Sequence, residues 1–275
     1  APVLGQAATL SVSGALGLEG GAGNARLSLE RADAGPAGKA SIQADYSNKT
    51  NILSLDLGLD EAPGGLVATA LKVPGAPALD LSLKGAGPLS DFSATLQLAS
   101  GDRLHLSGRA VLRETPATAP DTGATLGFQA DLSGDITPLL AAELRPFFGP
   151  DTGLELAGQR RADGALQLEK LALRAAALRL EGSAALAPSG LPERFALSGR
   201  LGAPEMGAGA APVRLPLPGP AVTLRGAQIS ASFDAQKGTP WQASAALEGL
   251  SSPDLALERA TLTASGEITA APTAQ

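Results

Sequence analysis

The sequence predicts an all-β protein made of many short strands, each with one apolar and one wet face. Three observations predict it. Leucine recurs at every second position along most of the chain, as in Leu53/Leu55/Leu57/Leu59, Leu79/Leu81/Leu83 and Leu96/Leu98, and period two is the spacing of one face of a strand. The residues between are small or polar. The 34 Gly and 21 Pro of the 275 residues punctuate the chain too often for helices to form between them, and suit short strands with many turns. Propensity pulls the other way, since Leu and Ala favour helix and Val and Ile are scarce. The punctuation makes the pattern the stronger signal.

The elements follow in order. Leu16/Leu18 and Leu27/Leu29 open the series, with Gly35-Pro36 as a turn. Between Leu59 and Leu79 lies a stretch, about 63–72, whose apolar stripe of Leu66, Val67, Ala70 and Leu71 predicts a short helix stopped by Val73-Pro74-Gly75. Ser100-Gly101-Asp102 is a turn. From Leu104 the even positions Leu106, Gly108, Ala110 and Leu112 share a face, which leaves His105, Ser107 and Arg109 on the wet side. Residues 137–145 predict a second short helix, capped by Thr137 with Pro138 at its first position and Pro146 ending or kinking it. Leu140, Leu144, Phe147 and Phe148 carry its helical spacing.

Asp163-Gly164 joins Leu154/Leu156 to Leu166/Leu168 as a hairpin. Parity then flips at Leu171/Leu173 and flips back at Leu178/Leu180. A one-residue slip would turn the apolar set to the wrong face, so a bulge or tight turn is expected near Glu169-Lys170 and at 175–177. Ser189-Gly190 and Lys237-Gly238-Thr239-Pro240 are further turns, and Leu255/Leu257 close the series. Residues 203–220, rich in Pro, Gly and Ala, read as a loop or linker, with 213–217 an edge strand. Apart from that segment, 1–275 reads as one β unit.

Composition narrows the function. A net charge of −6 without any basic block argues against nucleic acid as a partner. Cysteine is absent, which excludes disulfide and thiolate chemistry and fits an oxidising periplasm. No uncharged apolar run is long enough to span a bilayer as a helix. The Ala1-Pro2 start reads as a piece of a longer polypeptide.

The leucine faces must meet something, because soluble proteins seldom leave apolar patches beyond roughly 300–600 Å². A second sheet, a closed barrel or β-helix, or an open trough holding a hydrophobic ligand would each serve. Aromatics are only 3%, with Trp241 and Tyr46 each alone of its kind. That favours a smooth lining over an interlocked core.

No catalytic, cofactor or metal site is expected. Asp121-Thr122-Gly123-Ala124 and Asp151-Thr152-Gly153 match the aspartic-protease loop, whose paired carboxylates share a proton. The first follows Ala119-Pro120 instead of an apolar strand, so both read as turns. His105 is the single histidine, expected on the surface, and no cysteine joins it in a metal site. Neither Gly-x-Ser-x-Gly nor a Gly-Lys-Ser/Thr phosphate loop occurs. Arg160-Arg161 and Lys170, Arg174 and Arg179 read as a solvated face, with lipid headgroups at a rim as the other reading.

Several stretches go beyond pattern: Tyr46-Ser47-Asn48-Lys49-Thr50-Asn51-Ile52-Leu53, Leu57-Gly58-Leu59-Asp60-Glu61-Ala62-Pro63-Gly64-Gly65-Leu66, Gly85-Ala86-Gly87-Pro88-Leu89-Ser90-Asp91-Phe92, Gly134-Asp135-Ile136-Thr137-Pro138-Leu139 and Leu191-Pro192-Glu193-Arg194-Phe195. Over about residues 40–265 the chain resembles the TamB family of translocation and assembly module subunits in its α-proteobacterial form. These belong to the AsmA-like group of bridge-type lipid transfer proteins. The resemblance implies an elongated, curled antiparallel sheet forming an open hydrophobic groove, or β-taco. It implies a periplasmic segment of a protein anchored in the inner membrane, with phospholipid acyl chains as cargo. It also implies a role in outer-membrane protein assembly, with a TamA-type partner met through parts of the parent chain not present here. Roughly 20 strands at about 4.8 Å would stack to about 95 Å. The lining would be Leu55, Leu57, Leu81, Leu83, Leu96, Leu98, Leu104, Leu106, Leu154, Leu156, Leu166, Leu168, Leu171, Leu173, Leu178 and Leu180. A structural or adhesive β-protein with a dry core is the alternative.

Overall fold

A computed structural model describes residues 7–88, 90–116, 123–202, 211–217 and 219–268. The protein is all-β: 66% of the described residues are strand, against about 20–25% in an average domain. The described residues form 17 strands, paired antiparallel. They fall into two compact units, residues 1–114 with 130–142, and residues 115–129 with 143–275.

In the first unit seven strands pair in chain order: β1 Leu10–Glu19, β2 Ala22–Arg31, β3 Gly38–Ser47, β4 Ile52–Glu61, β5 Leu79–Pro88, β6 Asp91–Ser100 and β7 Arg103–Thr115. Two-residue turns close β1–β2 and β6–β7. Gly20 and Gly21 both take positive φ (56° and 82°), as a type I′ hairpin requires. The second half of β8, Thr125–Gly134, lies beside β7, so close that a Cβ on Gly108 would come 2.5 Å from the Asp131 carbonyl.

Register sorts the two faces cleanly. One rung runs Val12, Leu29, Ala40, Leu59, Leu81, Leu98, Leu106, and the next Gly14, Leu27, Ile42, Leu57, Leu83, Leu96, Gly108. The opposite face carries Ser13, Ser28, Ser41, Gly58, Ser82, Gln97 and Ser107 on one rung.

The second unit pairs β9 Thr152–Arg161, β10 Leu166–Ala175, β11 Leu178–Leu186, β12 Pro192–Gly202, β15 Gly226–Asp234, β16 Thr239–Ser252 and β17 Leu255–Gly266. The two-residue strands β13 Val213–Arg214 and β14 Thr223–Leu224 pair with each other, and β14 also meets the end of β16. The expected edge strand at 213–217 is therefore real but short. Residues 203–210 and Pro218 of the expected linker lie outside the described residues. The register shifts between Leu168 and Lys170, and β10 turns into β11 through Ala176-Ala177, so both expected parity breaks are present.

Three glycines inside strands are covered by aromatics. A Cβ on Gly85 would lie 2.5 Å from Phe92, on Gly158 2.7 Å from Phe128, and on Gly266 2.8 Å from the Trp241 indole nitrogen. Each ring lies across the bare backbone of a strand.

Both expected helices exist with altered ends. Helix α1 is Leu66–Ala70, and it buries Leu66 and Ala68, whereas Leu71 from the expected stripe is exposed. Glu61, on the apolar face of β4, is itself buried and accepts the N–H groups of Val67 (2.7 Å) and Ala68 (2.9 Å). That satisfies two of the orphan donors at the helix start. The second helical stretch is broken. Thr137–Leu139 makes one 3₁₀ turn, Ala142–Leu144 another, and helix α2 spans Arg145–Phe148. Thr137 is not the cap: Asp135 accepts its N–H at 3.0 Å and also its hydroxyl. Pro146 starts α2 instead of ending a helix, because its missing N–H falls where no intrahelical partner exists.

Two groups of buried side chains lie at these helices. Leu66, Ala68 and Leu79 belong to the α1 corner. Phe147, Ala175 and Ala177 belong to the α2 corner, where the Phe147 and Phe148 carbonyls accept the N–H groups of Ala177 (2.9 Å) and Ala176 (2.8 Å). No large side chain among the described residues is fully buried.

Candidate functional site

The sixteen leucines expected to line a groove fall eight to each unit. In the first, Leu55, Leu57, Leu81, Leu83, Leu96, Leu98 and Leu106 share one face, with Leu57, Leu83 and Leu96 on one rung and Leu81, Leu98 and Leu106 on the next. All seven are half-buried. In the second unit, Leu154, Leu173 and Leu180 share a rung, and Leu156 and Leu171 the next. Leu166, Leu168 and Leu178 face the same way, and all eight are half-buried.

Leu104 is the exception. Leu98 pairs with Leu106 but Ala99 pairs with Leu104, so a bulge at His105 sends Leu104 to the polar face, where it is 51% exposed. The same bulge buries His105, which is 4% exposed and not a surface residue. Its Nδ1 lies 3.2 Å from the Asp135 carbonyl. A carbonyl only accepts, so Nδ1 carries the proton in this contact.

Register also adds residues outside the expected lining. Leu27 and Ile42 extend the Leu57 rung, and Leu197 and Ile229 join the rungs of Leu156 and Leu154. The signal for them is the pairing of whole strands. Toward the free edge the face opens: Val12, Leu16 and Leu18 of β1 are 63%, 74% and 78% exposed.

The polar faces are laced by exposed ion pairs. Lys170 holds Glu155, which lowers that carboxyl below its usual range, and Lys39 does the same for Glu30 at 2.8 Å. Asp33 is lowered first by the Thr9 and Gly35 N–H groups and then by Arg31. Of the aspartic-protease-like loops, Asp121 and Thr122 lie outside the described residues. Asp151 is exposed and pairs with Arg174 at 3.1 Å. Among the described residues no group of three or more His, Cys, Asp or Glu is placed to hold a metal, and no helix is long and apolar enough to cross a membrane.

Two stacks of half-buried aliphatic rungs, one in each unit, thus form the candidate site. No family matches the chain, and no curated protein or solved structure matches it either.

Proposed function

We propose that this chain is a non-enzymatic lipid conduit, a segment of a periplasm-spanning bridge of the TamB-like, AsmA-related kind. Its leucine rungs line a path for phospholipid acyl chains toward the outer membrane, and so support outer-membrane biogenesis. One observation carries the reading: aliphatic side chains follow one another from strand to strand across seven strands, half-buried on β4 to β7 and more exposed toward β1. Each CH₂ that leaves water for such a surface gains about 0.8 kcal/mol. Successive rungs are alike in chemistry, so a chain moving along them exchanges equivalent contacts. The absence of any fully buried large side chain among the described residues favours this over a dry-cored structural protein.

The test is native mass spectrometry of the purified chain, with photo-crosslinking from Leu57 and Leu171. Co-purified phospholipid, crosslinked from both positions, supports the conduit. A chain that carries no phospholipid and takes none up from donor vesicles sinks it.

A further inference from the structure

The polar face of the second unit holds an arrangement that the leucine rungs do not explain. Register sets Arg174 of β10, Arg179 of β11 and Arg200 of β12 directly opposite one another, with Gln228 of β15 next on the rung. Like charges directly opposite destabilise a sheet, so three in succession work against the fold. Acid relieves only the first: Arg174 meets Asp151, and its Nε is still buried without a hydrogen-bond partner. Arg179 and Arg200 make no ion pair or side-chain hydrogen bond among the described residues. Two adjoining cavities of about 670 and 520 Å³ open on this face. Arg179, Ser198 and Ser230 line both, Arg174 the first, and Arg200 and Gln228 the second. Both volumes fall within the roughly 300–1,000 Å³ of small-ligand sites.

We propose that Arg179 and Arg200, with Arg174 beside them and the hydroxyls of Ser198 and Ser230 on the neighbouring rung, bind a phosphate-bearing anion. Neighbouring strands lie about 4.8 Å apart, so two guanidinium forks can flank a single phosphoryl group. Each fork matches a pair of its oxygens, and the serines add donors. Arginine does not deprotonate in proteins, so the site keeps its charge at any ordinary pH. Glu181 shares the rung of Ser198 and Ser230 and lines both cavities, and Glu155 and Glu169 line the first, so these carboxylates bound the site on that side by repelling a second anion. The bound anion relieves the repulsion that the register imposes. The site lies on the opposite face of its strands from the leucines and does not depend on the conduit reading.

Isothermal titration of the purified chain with inorganic phosphate and with pyrophosphate, at constant ionic strength in chloride, tests this. Saturable binding is expected. Arg179→Gln and Arg200→Gln should each weaken it about tenfold or more, the worth of one charge-assisted hydrogen bond. The double Lys variant, which keeps charge but loses the forks, should recover only part. Arg26→Gln, in the first unit, should bind as the parent does, and circular dichroism checks each fold. Binding no stronger than that of chloride, or undiminished in the folded double Gln variant, overturns the proposal. Flotation with phosphatidylglycerol vesicles but not phosphatidylcholine vesicles, reversed by free phosphate, assigns the phosphate to a lipid headgroup. Phosphate binding without flotation assigns it to a soluble phosphate.

Discussion

Leu79 and Leu83 offer a controlled comparison, because they are the same residue on the same face of β5. Leu79 is 5% exposed at the α1 corner, while Leu83 is half-buried on a rung between Leu57 and Leu96. Truncating Leu79 to Ala removes its transfer free energy and leaves a cavity, together about 2–5 kcal/mol. At Leu83 part of the side chain already meets water, so the transfer part falls to about 1–2 kcal/mol. No closed cavity adds to it, because the vacated space opens to solvent. Glutamate sharpens the contrast: at Leu83 the carboxylate can reach water, whereas at Leu79 it would be buried unpaired. We expect Leu79→Glu to unfold the α1 corner. Leu83→Glu should keep its fold with a loss of about 1–2 kcal/mol while phospholipid uptake drops several-fold. Urea denaturation gives the stabilities, and mass spectrometry of extracted lipid gives the uptake. Equal destabilisation by the two Ala variants, with Leu83→Glu unfolded, would instead make the rungs a dry core.

Phe147→Ala should cost about 3–5 kcal/mol by thermal or urea unfolding, since the ring is 3% exposed at the α2 corner. Glu61→Ala strips the acceptor from two N–H groups of α1. It should cost about 1–3 kcal/mol, with faster hydrogen exchange confined to the first turns of the helix. Asp135 sits below its ordinary carboxyl value of 3.8, chiefly because Thr137 donates to it. A lowered folded value stabilises the fold above the unfolded value, and the gain is lost as pH falls through the folded one. NMR titration should therefore find Asp135 still ionised at pH 3.8, and the 3₁₀ turn at Thr137 loosening only below that. An ordinary titration at Asp135 would count against its capping role.

Much of this was legible because period two is a local signal. The rungs of Leu55 to Leu98 and the bulge near Lys170 follow from counting positions along one strand. The slip at His105 does not, since Leu104-His105-Leu106 alternates without a break. Its bulge exists only against Leu98 and Ala99 of the neighbouring strand. Burial of His105 and exposure of Leu104 are consequences of that non-local pairing. Glu61 was equally hidden. A charged residue on an apolar face looks like an interruption until a helix a few residues later supplies the N–H groups that hold it. Arg174 and Arg179 read as a solvated face, and Arg200 does not stand out in the sequence, because their alignment depends on how each turn sets its strand.

The pairing of β1 to β7 and of β9 to β12 in chain order also bears on how the chain folds. Each ladder joins residues close in sequence, so little loop-closure entropy opposes it, and folding should be fast for an all-β protein. Strands can zip onto their predecessors as they emerge during synthesis. The exception is β12 with β15, whose partners are separated by residues 203–225. That ladder must wait for its segment, which makes it the expected slow step and the place where a partly made chain would pause.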